Sequence, residues 1–249
     1  MFQLIIAAFF AVLISPISIG AQAAEIDWAY AGSNGPGQWS KLGPQFHACD
    51  GNQQSPVAIK SSNAFAANVP ELFLELEQFK PTVTNDGHNI TVEPQGIGGS
   101  LLYGGKTYKF GEMRLHHSSG HTVDGRQFPL EVHFVHASDG GELFILGVFF
   151  LEGPANTTLQ TLLDNAPSAK GQKSGSLIID PMQMIPVDNR FFRYKGSLTM
   201  PPCTENVTWH LYKQTLTASK AQIETLSLLY KDNHRPAQAL NRRYILQEK

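Results

Sequence analysis

Residues 110–136, FGEMRLHHSSGHTVDGRQFPLEVHFVH, decide how the rest of the chain is read. Side chains of a strand alternate between faces, so 112, 114 and 116 point one way while 115 and 117 point the other. In the second apolar run, LEVHFVH, the residues Glu131, His133 and Val135 share a face. A His-x-His pair on one strand and a lone inward His on its neighbour would hold a metal with three imidazoles. Such a site leaves a fourth position open for hydrolytic or hydrating chemistry, as zinc sites do. His116 and His133 stand in two of these positions, and the third carries Arg114. His117 needs a bulge to reach the same face.

Outward from this stretch the pattern stays short and apolar, punctuated by Gly, Pro and Asn. ITVEPQ (90–95), SLLYGGKTYKF (100–110), LEVHFVHA (130–137), ELFILGVFFLEG (142–153), SLIID (176–180) and VTWHLYKQTL (207–216) read as strands. The run beginning at Glu142 is apolar throughout, as in a strand buried on both faces. Helical pattern is sparse: a short helix around 158–163 ending near Pro167, and another over 219–229 capped by Ser219 or Thr217. The fold class is mainly β, one domain on a large central sheet with short peripheral helices.

The chain has 249 residues, 42% of them hydrophobic, enough for one large core. A formal net charge of −2 offers no field for nucleic acid or an anionic membrane surface. Residues 4–14, LIIAAFFAVLI, are too short to span a bilayer and precede Ala21-Gln22-Ala23, an A-x-A cleavage pattern. Residues 1–23 therefore read as a secretory signal peptide, leaving a mature domain over 24–249 with no membrane span, periplasmic or secreted. Met1-Phe2-Gln3 supplies no basic residue to that signal, and an uncleaved anchor is the alternative. Cys49 and Cys203 are the only cysteines. In an exported protein they suggest a disulfide; otherwise they are two buried thiols.

Seven motifs, in order, resemble the α-class carbonic anhydrases, zinc enzymes that interconvert carbon dioxide and bicarbonate. They are W-x-Y-x-G-x-x-G-P-x-x-W (Trp28 to Trp39), C-x-G-x-x-Q-S-P (Cys49 to Pro56), N-x-G-H (Asn85 to His88) and S-x-x-H-T-V-D-G (Ser118 to Gly125). E-x-H-x-V-H (Glu131 to His136), G-S-L-T-x-P-P-C-T-E (Gly196 to Glu205) and N-x-R-P-x-Q-x-x-N (Asn233 to Asn241) complete the set, covering about residues 28–245. The resemblance implies a twisted, mostly antiparallel ten-stranded sheet with the metal at the base of a conical cleft, and a Cys49–Cys203 bridge as in exported bacterial members.

It also implies roles, residue by residue. His116 and His133 match two zinc ligands, and Arg114 falls where the remaining one belongs. Glu131 matches the carboxylate that orients His133, with His121 as its companion. Thr199 matches the hydroxyl that takes a hydrogen bond from zinc-bound hydroxide, and His88 matches the proton shuttle, a role suited to imidazole. Val135, Ile145, Leu198 and Trp209 would form the apolar carbon dioxide pocket, with Met200 where a smaller residue is usual. The glutamate that accepts the Thr199 proton is replaced by Gly120, and the glutamine that usually supports the first histidine by Glu112. The expectation is a family member with weak or absent activity, its Arg114 guanidinium held by Glu112 as a substitute cation and its zinc weakly bound or absent. The cleft would take bicarbonate or another small anion. The alternatives are an active zinc enzyme with a rearranged metal shell, and a non-catalytic module that binds an anion or a protein.

Overall fold

The computed structural model describes residues 26–174 and 178–249; the signal peptide expected over 1–23 lies outside them. Among the described residues thirteen strands form one sheet. Its ordered path runs from Gly171–Ser174 through Pro81–Asn85, Ile90–Pro94, Lys106–His116, Leu130–Ala137 and Leu143–Glu152. It continues through Glu205–Tyr212, Phe191–Ser197 and Leu246–Glu248 to Phe65–Ala67. That path has ten strands; Leu72–Leu76, Gly99–Tyr103 and Leu216–Ala218 are added off it. Neighbours are antiparallel except where Leu143–Glu152 meets Glu205–Tyr212 and Leu216–Ala218, and where Leu246–Glu248 meets Phe65–Ala67. Among the described residues no helix is long and apolar enough to cross a membrane.

Leu143–Glu152 shows why its sequence does not alternate. Phe144, Leu146, Val148 and Phe150 enter the larger core on one face, while Ile145 and Phe149 enter a second core on the other. Gly147 lies opposite His133, and a Cβ on it would meet Leu211 Cδ2 at 2.4 Å, so only glycine lets Leu211 pack there.

The expected 100–110 strand splits into a hairpin, Gly99–Tyr103 and Lys106–His116, because Gly104 and Gly105 take φ of 57° and 76°. A register shift follows: Val135 pairs with Glu112 but His136 pairs with Phe110, leaving Gly111 as an extra residue. This bulge moves the core-facing set from Tyr108 and Phe110 to Met113 and Leu115. Glu112, Arg114 and His116 are thereby left on the opposite face.

The two expected helices are Thr157–Asn165 and Lys220–Leu229. Asn156 caps the first, and Ser219 caps the second in a box with Gln222. Gln222 joins the two, accepting from Asn156 N at 3.1 Å and donating to Asn156 O at 2.7 Å. In the expected 176–180 strand, 176 and 177 fall outside the described residues, and Ile179 makes a single bridge to Phe79. Strands Leu72–Leu76, Pro81–Asn85 and Phe191–Ser197 add to those expected.

Cys49 and Cys203 form a disulfide across a separation of 154 residues. It packs with Trp28 and Trp39 in a third small core. The loop-entropy model assigns a bridge of that span about 4–5 kcal/mol. Beside it the buried Arg235 donates to Cys49 O, Gln54 Oε1 and Ser55 O at 2.8, 2.7 and 3.1 Å. The C-x-G-x-x-Q-S-P and N-x-R-P motifs thus meet through one guanidinium.

Candidate active site

The site grows from the antiparallel pair Lys106–His116 and Leu130–Ala137. Its register sets Glu131 opposite His116, His133 opposite Arg114 and Val135 opposite Glu112. These six residues form three adjacent cross-strand pairs on one face, which is how residues 15 or more apart in sequence become a single floor.

Glu131 is fully buried and accepts four hydrogen bonds. His121 Nδ1 and His133 Nε2 reach Oε1 at 2.7 and 2.8 Å. Gly120 N and His121 N reach Oε2 at 2.9 and 3.1 Å. Burial alone would raise this carboxyl's pKa, but His121 and His133 outweigh it and hold it well below the usual range. An ionised carboxylate only accepts, so His133 carries its hydrogen on Nε2 and keeps a lone pair on Nδ1. The network continues from His121 Nε2 to the Tyr194 hydroxyl at 2.6 Å, and from there to Ser55 Oγ at 2.8 Å. His121, Glu131 and His133 offer ligand-type atoms within 4.8 Å of one another. The nitrogens facing the carboxylate are hydrogen-bond donors, so this trio is a polar network, not a metal cage.

His116 is oriented independently. Its Nδ1 lies 2.9 Å from Asn233 O, which can only accept, so Nδ1 bears the hydrogen. Nε2 is buried and has no hydrogen-bond partner among the described residues. Burial first, then the neighbouring His133, bring its pKa down to about 3, and burial also lowers that of His133 against the opposing pull of Glu131. The two rings lie 4.4 Å apart. Both imidazoles are neutral at neutral pH and present unshared lone pairs.

Arg114 completes the row. Its guanidinium forms an ion pair with Glu112 through Nη2 and Oε1. Nη1 lies 2.6 Å from Met200 Sδ, a sulfur that Asn89 Nδ2 also approaches at 3.7 Å. The Arg114 and Glu112 side chains are 22% and 17% exposed, so the pair sits in the cleft and not on open surface. His117 turns elsewhere: its backbone N donates to Asn233 Oδ1 at 2.7 Å, and its ring lies 3.9 Å from Asp232.

The expected apolar residues come together. Val135 pairs with Ile145 and Ile145 with Trp209, and Leu198 packs in the same cluster. Trp209 holds its ring 4.8 Å from those of both His121 and His133 and donates to Ser197 O. Thr199 is buried and shares a small cavity with His116, His133, Gly120 and Pro56. His88 is half-buried, its ring stacked on Trp28 with centroids 3.8 Å apart.

Residue-by-residue reading missed Asn233, Tyr194 and Ser55. Asn233 acts through its backbone carbonyl on His116, a role any residue could fill, and through its side-chain amide on Leu115 O at 3.1 Å. The only trace of it is the N-x-R-P motif.

The sequence that builds this fold matches a family model described as eukaryotic-type carbonic anhydrase over residues 34–249. The chain belongs to the α-carbonic anhydrase family. It is similar to a carbonic anhydrase of Pectobacterium atrosepticum, 34% identical over 239 residues, covering 95% of this chain and 97% of that one. A Nostoc carbonic anhydrase is also 34% identical, covering 94% and 90%. Among solved structures, the Thermovibrio ammonificans α-carbonic anhydrase in complex with sulfanilamide superposes with a TM-score of 0.86 at 35% identity, over 89% of this chain and 99% of that one. Dioscorin complexed with ascorbate superposes with a TM-score of 0.82 at 27% identity, over 90% and 98%.

Proposed function

We propose that this chain is an α-carbonic anhydrase family member whose metal position is filled by the Arg114 guanidinium, and that it hydrates carbon dioxide weakly or not at all. The family reaction needs a hydroxide at neutral pH, which zinc bound by three imidazoles supplies by lowering the pKa of its water to about 7. The lone pairs on His116 Nε2 and His133 Nδ1 suit such an ion. The third donor does not: a guanidinium stays protonated and offers no lone pair. At about 4 Å and an effective dielectric near 20, two unit charges repel by about 4 kcal/mol, so a dication beside a fixed guanidinium faces roughly twice that. The donor set therefore does not fit a three-imidazole zinc site. The observation that carries this reading is the Arg114–Glu112 ion pair, on the strand whose register sets Arg114 opposite His133.

The Thr199 side adds to it. Gly120 supplies no carboxylate to orient the hydroxyl, and the space beside it is the small cavity it shares with Thr199. What the residues present offer a small ligand of the bicarbonate class is donors from Arg114 and Thr199 and one imidazole lone pair to accept its single O–H.

One observation favours the second reading, an active zinc enzyme with a rearranged shell. The His116 Nε2 lone pair is buried without a partner, a cost that a metal would remove. Stopped-flow carbon dioxide hydration of purified protein separates the two: sulfonamide-sensitive turnover overturns the proposal, and a rate equal to buffer supports it. Export to a periplasm or the cell exterior belongs to the same proposal, and the Cys49–Cys203 disulfide, which an oxidising compartment sustains, supports it.

A further inference from the structure

On the sheet face opposite the histidine floor, the cross-strand register pairs Arg193 with His210 and Lys195 with Thr208. Arg193 is 3% exposed, and among the described residues no carboxylate lies within ion-pair distance of it. Its Nη2 lies 2.8 Å from His210 Nδ1, its Nη1 reaches Pro70 O only at 3.5 Å, and its Nε has no partner. Tyr103 and Phe191 sandwich the guanidinium, each ring centroid 4.3 Å from its central carbon. Arginine is almost never buried this deeply without a counter-charge. Cation–π contacts with both rings offset part of that cost.

Arg193 forms one wall of a cavity of about 310 Å³, within the range of small-molecule sites. Two more cations line it, Lys195 and Arg243, together with Tyr103 and Tyr244; Tyr194 borders it from the strand, its ring stacked on Trp209 on the other face. Lys195 Nζ is held by the neutral Thr208 Oγ1 at 2.6 Å. Arg243 donates only to backbone carbonyls, those of Leu240, Lys195 and Ala239. No acidic side chain among the described residues lines the cavity. The acidic Glu142, whose charge acts on Lys195, is committed to Lys106.

Three cations held by neutral acceptors border this one cavity, and Glu205, whose charge acts on Arg243, is committed to Gln53 N and Gln54 Nε2. We propose that this cavity binds a small aromatic carboxylate, its ring among the tyrosines and its carboxylate on Arg193, Lys195 and Arg243. Nothing in this requires the cleft histidines or the reading given to Arg114.

The test is calorimetric titration of the full chain with sodium benzoate, alongside ¹⁵Nε spectra of its arginines, with benzylamine and inorganic phosphate as controls. Benzoate should bind in saturable fashion and shift the Arg193 Nε signal. Arg193→Gln should weaken it about tenfold or more, the loss of one charge-assisted pair. If that variant fails to fold, Lys195→Gln with Arg243→Gln at the same cavity should weaken binding instead. Benzylamine or phosphate binding as tightly as benzoate overturns the proposal. So does benzoate affinity that survives these substitutions, or an Arg193 signal that does not move.

Discussion

Arg114 and His133 stand directly opposite one another on neighbouring antiparallel strands, with the guanidinium ion-paired to Glu112 on its own strand. An arginine held by Glu112 and Met200 therefore shares a cross-strand pair with a histidine whose Nε2 is already committed to Glu131. Every expectation about the cleft turns on which group wins that position.

Replacing Arg114 by His restores a third lone pair to a floor that already offers two. Arg114→His should bind close to one zinc per chain, measured by elemental analysis after dialysis. Adding Gly120→Glu supplies the acceptor for Thr199, although a Cβ at Gly120 meets Pro56 Cγ at 2.9 Å and the proline ring must give way. The double variant should raise the hydration rate by several orders of magnitude in stopped-flow assay, because the hydroxide source returns.

Glu112→Gln leaves Arg114 partly buried and unpaired. Urea denaturation should show a loss of about 1–2 kcal/mol, between the small value of an exposed pair and the larger cost of breaking a buried one. Glu112→Gln combined with Arg114→Met should recover most of that loss, since neither charge remains.

Stability should fall as pH falls from neutrality, and the sign follows from the buried groups. His116 has its folded pKa lowered from 6.5 to about 3, so between these values the unfolded chain binds a proton that the folded one refuses. Its contribution is full above about pH 6.5 and declines by about 1.4 kcal/mol per pH unit below it. Glu131, also lowered, adds stability above its unfolded pKa that is lost as pH falls through its folded value. Both act in the same direction. Denaturation midpoints measured from pH 7 to pH 4 should drop steadily, and a flat profile would contradict the burial of neutral His116.

Removing the disulfide should cost about 2–5 kcal/mol. Cys49→Ser with Cys203→Ser, compared with wild type in guanidinium chloride, measures this. The bridge ties the loop bearing Thr199 and Met200 to the segment carrying Trp39, so the double variant should also loosen the cleft.

Much of this architecture is legible in the sequence, for identifiable reasons. Leu130–Ala137 alternates because one face meets the core and the other the cleft, and Leu143–Glu152 does not because both its faces meet cores. The Ser219 cap of the second helix is legible, whereas the Asn156 cap of the first and the part of Gln222 in the box emerge only in the structure. Phe191–Ser197 hides because Arg193 and Lys195 occupy one face of a strand buried at most positions, and charged residues argue against burial until their aromatic neighbours are seen. At the cleft, parity alone places Glu112, Arg114 and His116 together. The bulge at Gly111, the carbonyl of Asn233 and the Tyr194–Ser55 extension are tertiary features that no local pattern encodes.

The most direct measurement is the zinc content of purified wild-type protein after exhaustive dialysis against metal-free buffer. With the Arg114 guanidinium filling the metal position, as proposed, the content should be far below one zinc per chain. Close to one tightly held zinc per chain, displaced only by strong chelator, would contradict the account.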